Sequence, residues 1–186
     1  MPAFPRAEIE EMLRRWIAAN DEAGPKGDWS KMPSFFTEDA IYSWNNGPRT
    51  EFVARGRKQI AEWAFGSEMA GLEGWIYPYV RTLIDDQRGE VICIWRQIAP
   101  LEDPDGKPYE IAGTGGSWFR YAGNYQWGWQ RDFFDHGNAG AVFGAMIQND
   151  QMNDVMLERM KKGSKMPGWV RRKEFDWYDT IVDREA

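Results

Sequence analysis

The sequence predicts an α+β protein, a block of helices followed by a curved antiparallel sheet within one domain. Two observations carry this. Apolar residues recur with a helical period in segments such as 7–20 and 56–66, and with a period of two from residue 74 to 135. The strand-like runs are joined by short turns at "DDQRG", "EDPDGKP" and "AGN", which join antiparallel neighbours, whereas parallel strands need a long crossover. The chain has 186 residues, the size of one domain with a self-sufficient core.

Ile9, Met12, Leu13, Trp16 and Ile17 repeat at helical spacing, so 7–20 reads as an amphipathic helix that "DEAGPKG" breaks. "DWSKMPSFFTEDA" reads as a second, short helix ending near Thr37, with Asp28 capping it and Trp29 packing; no chemistry is assigned to either. "AIYSWNN" is a short strand closed by a turn at Gly47-Pro48. "GRKQIAEWAFG" (56–66) gives a third helix with Ile60, Trp63 and Ala64 on one face and Gly66 as its C-cap. Four strands follow in "GWIYPYVRTLIDD", "RGEVICIWRQIAP", "PYEIAGTGGSWFRYA" and "YQWGWQRDFFD". Residues 139–162 return to helix, with Met152, Met156 and Met160 at spacing four. The aromatic tail has no period and either closes a pocket, wraps a neighbour or packs on its own domain. With no linker or repeat, residues 1–148 form the domain and 149–186 a C-terminal helical and aromatic extension of it. A helix layer over a curved sheet leaves a cone between them, a natural ligand cleft.

Composition narrows the function classes. A net charge of −6 with scattered Lys and Arg, Arg171-Arg172-Lys173 being a short exception, argues against nucleic acid. A single cysteine, Cys93, leaves no internal disulfide and fits a reducing compartment. No secretory apolar region and no run of about 18 apolar residues occurs, so a soluble cytoplasmic protein with no membrane partner is expected. One His, one Cys and no carboxylate–histidine spacing leave no metal site, and no phosphate-loop glycine pattern points to a nucleotide. No cofactor is expected. The 11 Trp are the positive signal: beyond core packing, a surplus suits a cavity wall facing a flat or cyclic ligand.

The chemistry concentrates in "YQWGWQRDFFDHGN" (125–138). Strand alternation puts Gln130, Asp132 and Phe134 on one face, with Gly128 deeper, and Trp129, Arg131, Phe133 and Asp135 on the other, toward a partner subunit or solvent. If Asp132 faces the cone, desolvation raises its pKa and suits it to acid/base work, provided that donors lie close. Tyr42, Gln130 and Gln97 are the candidate donors. The competing reading is an ion pair with Arg96 or Arg131, or a turn cap. His136, the only histidine, is a candidate proton shuttle at the pocket mouth or a plain loop residue. Tyr42 shares a face with Trp44 and could donate to a developing oxyanion, or be a core tyrosine. The glycines of "AGTGGS" (112–117), facing Trp16, Trp44 and Trp95, mark either a flat ligand slot or a sharp bend.

Four strings in order, "FFTEDAIYSW", "GRKQIAEWAF", "SWFRY" and "GWQRDFFD", resemble the SnoaL-like branch of the NTF2-like superfamily over about residues 7–136. The resemblance implies a cone with a curved antiparallel sheet, three N-terminal helices over its concave face, and a homo-oligomer (dimer or trimer) formed through the outer sheet face. It does not imply one activity. The positions of the ketosteroid isomerase residues fall on Trp16, Trp44 and Ser117, and none is retained. Limonene-epoxide-hydrolase-like enzymes match at Asp132 and Tyr42, but their Arg-x-Asp pair falls on Trp95 and Gln97, and their Asn on Trp44 unless Asn45 replaces it. Scytalone-dehydratase-like sites need two histidines. With those sets broken, the expected function is a cofactor-independent lyase working by elimination, dehydration or retro-aldol cleavage. Its substrate is a hydrophobic cyclic or aromatic, including diaryl, catabolic molecule. Asp132, Tyr42, Gln97 and His136 are the catalytic candidates; Trp16, Trp44, Trp95, Ser117, Gln130 and Phe134 are the binding candidates. An isomerase or hydrolase with a rearranged donor set, and a non-catalytic binding module, are the alternatives.

Overall fold

The computed structural model describes residues 4–47 and 49–181; Pro48, half of the expected turn, lies outside them. The first helix, α1, runs Arg6–Lys26, well past the expected break. Pro25 lies in its last turn, where it removes only one backbone bond. Gly27, at φ 63°, ends the helix in the left-handed conformation. Gly24 is required earlier in that turn, since a Cβ there would stand 2.8 Å from the Trp75 carbonyl.

The second expected helix is only a 3-10 turn, Met32–Phe35, with Pro33 near its start. Asp28 accepts the Ser30 amide at 3.0 Å in a local turn. The strand β1 begins at once and runs Phe36–Asn45. Strand β2, Thr50–Arg55, gave no alternation signal because Phe52, Val53 and Ala54 are all buried in succession. The third helix starts as α2, Gly56–Gln59, and widens into a π-helix over Ile60–Ser67. Gly66 therefore lies inside the helix, and Glu68 takes the C-cap position.

Strands β3 (Tyr79–Asp85), β4 (Glu90–Trp95), β7 (Gly115–Tyr121) and β8 (Trp127–Phe133) form the expected antiparallel meander. Between β4 and β7 the chain makes a separate hairpin of β5 (Ile98–Glu102) and β6 (Pro108–Glu110). The main sheet has seven strands in the order β3-β4-β7-β8-β1-β2-β9, where β9 is Trp169–Arg171 from the tail. One pairing is parallel, β1 with β8, in the register Tyr42 opposite Gln130 and Trp44 opposite Asp132. This α+β arrangement, a mostly antiparallel sheet with its helices packed as a layer, is the NTF2-like cone. The main core lies between α1, the π-helix and the inner sheet face, around Met12, Trp16, Phe36, Phe52, Ile60, Phe119 and Trp127.

The single helix expected over 139–162 is two. Helix α3 covers His136–Gln148 and α4 covers Asp154–Lys162. Asp150 between them has φ 54°, and the Asn153 side chain accepts from the Met156 amide to start the second helix. Asp135, placed on the outer face by alternation, caps α3 by accepting from the Asn138 amide at 2.9 Å. The chain's own tail covers part of the outer sheet face, over Trp118, Trp129 and Arg131. Trp129 Nε1 donates to Thr180 Oγ1 at 2.9 Å, Trp177 packs on Trp118, and the Arg131 guanidinium lies 4.7 Å from the centre of the Trp177 ring. Arg131 also pairs with the fully buried Glu51 at 2.9 Å.

Candidate active site

Asp132 faces the cone. It stands on β8 beside Gln130, with Ser117 of β7 directly opposite and Trp44 of β1 on the other flank. Its carboxylate accepts three hydrogen bonds. Tyr42 Oη donates to Oδ2 at 2.5 Å, while Ser117 Oγ and Gln130 Nε2 donate to Oδ1 at 2.6 and 2.7 Å. Trp95 Nε1 donates to Ser117 Oγ at 3.0 Å, so the indole fixes the hydroxyl that fixes the acid. The strand pleat puts all of these on one face, and the parallel β1–β8 register brings Tyr42 to within reach.

Burial pushes the Asp132 pKa above the ordinary aspartate value; the Gln130, Ser117 and Tyr42 hydrogen bonds, together with the Arg131 charge behind the strand, oppose that rise without cancelling it. The same burial, and then the Asp132 charge, push Tyr42 well above a normal phenol, so it stays a donor. Tyr77 and Tyr79 are likewise raised, chiefly by burial. Neither alternative ion pair forms: Arg96 pairs with Glu110 and Arg131 with Glu51.

The group opens on a cavity of about 450 Å³, within the range of small-molecule sites. Its walls include every sequence-predicted site residue: Trp16, Tyr42, Trp44, Trp95, Gln97, Ser117, Gln130, Asp132, Phe134 and His136. Their contacts differ from expectation in places. Gln97 does not reach Asp132; its amide donates to Tyr77 Oη at 3.5 Å, and Ser117 takes the place given to it among the donors. His136 Nε2 lies 2.7 Å from the Asn45 carbonyl, and the ring packs on Phe134. Trp16 donates to Tyr79 Oη at 2.7 Å, and Trp44 is stacked flat on Phe52.

The glycine run is not an open slot. A Cβ on Gly115 would lie 2.6 Å from the Trp95 ring, and one on Gly116 would run into the Phe133 ring and lie 2.6 Å from the Cys93 carbonyl. The chain's own aromatics fill the space on both faces, and Gly113 at φ 90° makes the bend.

Several cavity residues escaped sequence reading. Trp29 lines the cavity rather than only packing, stacked on Phe65. Asn20 was signalled by its position four residues after Trp16 on an apolar helix face; it donates to the Tyr77 carbonyl at 2.9 Å. Glu68, Arg159, Met160, Met166 and Trp169 also line it, and all but Glu68 come from beyond residue 150. Nothing local in the sequence marks them, because sequence-distant segments bring them in. Among the described residues there is no cluster of His, Cys, Asp and Glu able to hold a metal ion, and no helix long and apolar enough to cross a membrane.

Among solved structures, PrhC from Penicillium brasilianum superposes with a TM-score of 0.59 at 11% identity, covering 82% of this chain and 96% of its own. A phenazine biosynthesis-related protein from Pseudomonas aeruginosa gives 0.56 at 14%, covering 78% and 88%. An NTF2-like protein from Anabaena variabilis gives 0.53 at 18%, covering 73% and 95%. At these identities the likeness is one of fold. A sequence comparison with curated proteins finds no match. The family model described as a SnoaL-like domain matches residues 5–140, nearly the whole span that builds the cone and its acid. The chain belongs to the SnoaL-like domain family.

Proposed function

We propose that the protein is a cofactor-independent lyase that performs proton transfer on a hydrophobic cyclic or aromatic small molecule. One observation carries the reading: a carboxylate set in an aromatic cavity, desolvated and accepting three hydrogen bonds, one short of its acceptor capacity. A structural acid gains nothing from such a place, because burying the charge costs stability. Catalysis gains a base whose pKa is raised toward the working range.

In the elimination we infer, Asp132 takes a proton from a C–H or O–H beside the leaving group. The electron pair released forms the new double bond, and the C–O or C–C bond to the leaving fragment breaks. Asp132 then returns its proton to the oxygen or carbon that has gained electron density. Tyr42 keeps Oδ2 oriented through its 2.5 Å bond, and Ser117 and Gln130 hold the other oxygen. Trp44, Trp95 and Phe134 would flank a flat substrate and exclude water. His136, at the cavity wall, is the proposed exchange point with solvent.

The test is a screen of cyclic and aromatic hydroxy compounds for a change in ultraviolet absorbance, since elimination extends conjugation. Asp132→Asn should abolish turnover of any hit, a loss of at least about 10²-fold, while ligand binding persists. Full activity in that variant would remove Asp132 as the base. A homo-oligomer, if formed, would use surface beyond the part of the outer sheet face that Trp177 and Thr180 cover.

A further inference from the structure

The cavity has a second polar group, with hydrogen-bond partners different from those of Asp132 and built partly from outside the span matched by the family model. Glu68, at the end of the π-helix, accepts from Trp169 Nε1 at 2.9 Å on Oε1 and from Arg159 Nη2 at 3.2 Å on Oε2. Arg159 Nη1 also donates to the Ala70 carbonyl at 2.8 Å. All three side chains line the cavity, and Glu68 is only 9% exposed.

This pair is an expensive way to close a wall. Burial pushes Glu68 above the ordinary glutamate value even though Arg159 and Trp169 act against it. Burial also pulls Arg159 below the ordinary arginine value in spite of its partner. A desolvated ion pair adds little or nothing to stability. Nor is it needed to fasten α4, which Asn153 already ties to the Gly71 carbonyl at 2.9 Å and Met156 anchors in the second core cluster. A guanidinium has five N–H donors and a carboxylate about four acceptor sites, more than the bonds to Ala70, Trp169 and each other use. The pair therefore offers the cavity a donor and an acceptor side by side, with no net charge.

We propose that Arg159 and Glu68 form a recognition site for a neutral hydroxyl, phenolic or alcoholic, on an aromatic ligand. A hydroxyl both accepts and donates, so it satisfies the pair at once. A carboxylate in the same place would meet Arg159 but be repelled by Glu68, so the site selects against acids. The inference rests on the cavity being a small-molecule site, as proposed above, and not on the proton-transfer chemistry.

Equilibrium dialysis of the full chain with 2-naphthol, naphthalene and 2-naphthoate at neutral pH tests it without turnover. The native protein should bind 2-naphthol roughly tenfold more tightly than naphthalene, the worth of one or two polar hydrogen bonds, and 2-naphthoate weakest. Glu68→Gln keeps an acceptor for Trp169 but leaves the Arg159 charge uncompensated. It should erase the bias against 2-naphthoate and raise its affinity by about tenfold, a reversal that a merely structural role would not produce. Arg159→Met should lose the 2-naphthol preference while naphthalene binding stays. An unchanged order of the three probes in either variant overturns the proposal, as does native protein that binds none of them or prefers 2-naphthoate. If the probes behave as expected but no substrate is ever turned over, the lyase reading fails and the recognition site stands.

Discussion

Tyr42→Phe isolates the bond on which the candidate site depends. Phenylalanine keeps the ring that packs on Phe36, Trp44 and Phe65, so only the hydroxyl donor to Asp132 Oδ2 is lost. A hydrogen bond to a charged acceptor contributes about 1.5–3 kcal/mol. For a chain of this size each kcal/mol moves Tm by about 2–4 °C, so the variant should melt roughly 3–12 °C lower at neutral pH. The penalty depends on pH with a definite sign. The Asp132 pKa is raised by folding, so the site is most favourable below the unfolded aspartate value and loses stability as pH rises through the folded value. Tyr42 offsets part of that loss, because its hydrogen bond favours the ionised form. Once the acid is protonated, the bond becomes one between neutral groups, worth about 0.5–1.5 kcal/mol. Urea unfolding at neutral pH and at a pH below the folded Asp132 value should therefore give a Tyr42→Phe penalty about twofold smaller at the lower pH. Equal penalties at the two pH values, or none at either, would refute a charged Asp132 held by Tyr42.

Asp132→Asn should stabilise the folded protein at neutral pH by on the order of 0.5–2 kcal/mol in chemical denaturation, since the amide oxygen keeps the Ser117 and Gln130 donors, its N–H can donate to the Tyr42 oxygen in place of the lost bond, and the buried charge is gone. A loss of stability would mean that the carboxylate is structural. Glu51→Ala strips the buried partner of Arg131 and should cost about 3–5 kcal/mol by thermal melt, far more than loss of an exposed pair such as Lys161–Glu158. Gly116→Ala drives a methyl group into the Phe133 ring and the Cys93 carbonyl and should cost at least about 1–3 kcal/mol. Calorimetry of that variant would show no change if the glycine were merely a flexible link.

Periodicity revealed most of the meander and the inner set of β8, because strand alternation directly encodes which side faces a half-buried sheet. Asp132, Gln130 and Phe134 were thus legible as one surface of one strand. Strand β2 was not, since burial on both faces of Phe52–Ala54 erases the alternation. The end of α1 was misplaced because proline in a last turn costs one bond rather than the helix. The donors to Asp132 were only partly legible: Tyr42 and Gln130 were named, but Ser117 depends on the β7–β8 register, which no local pattern states. Glu68 and Arg159 lie 91 residues apart in sequence, and their meeting is purely tertiary.

The alternating charges of β8 have one more consequence, for the accuracy of folding. A slip of one residue in its pairing would exchange the two faces of the strand. Arg131 would then point a guanidinium into the aromatic cavity, and Asp132 would be driven against Glu51 beneath the tail. Each charge is rejected in the other's position, the first because the remaining cavity carboxylate, Glu68, is already paired with Arg159, the second by repulsion from Glu51. The buried Arg131–Glu51 pair on the outside and the Tyr42–Asp132 bond on the inside therefore act together as a proofreading device. They admit the one alignment of β1 with β8 in which the carboxylate faces the cavity.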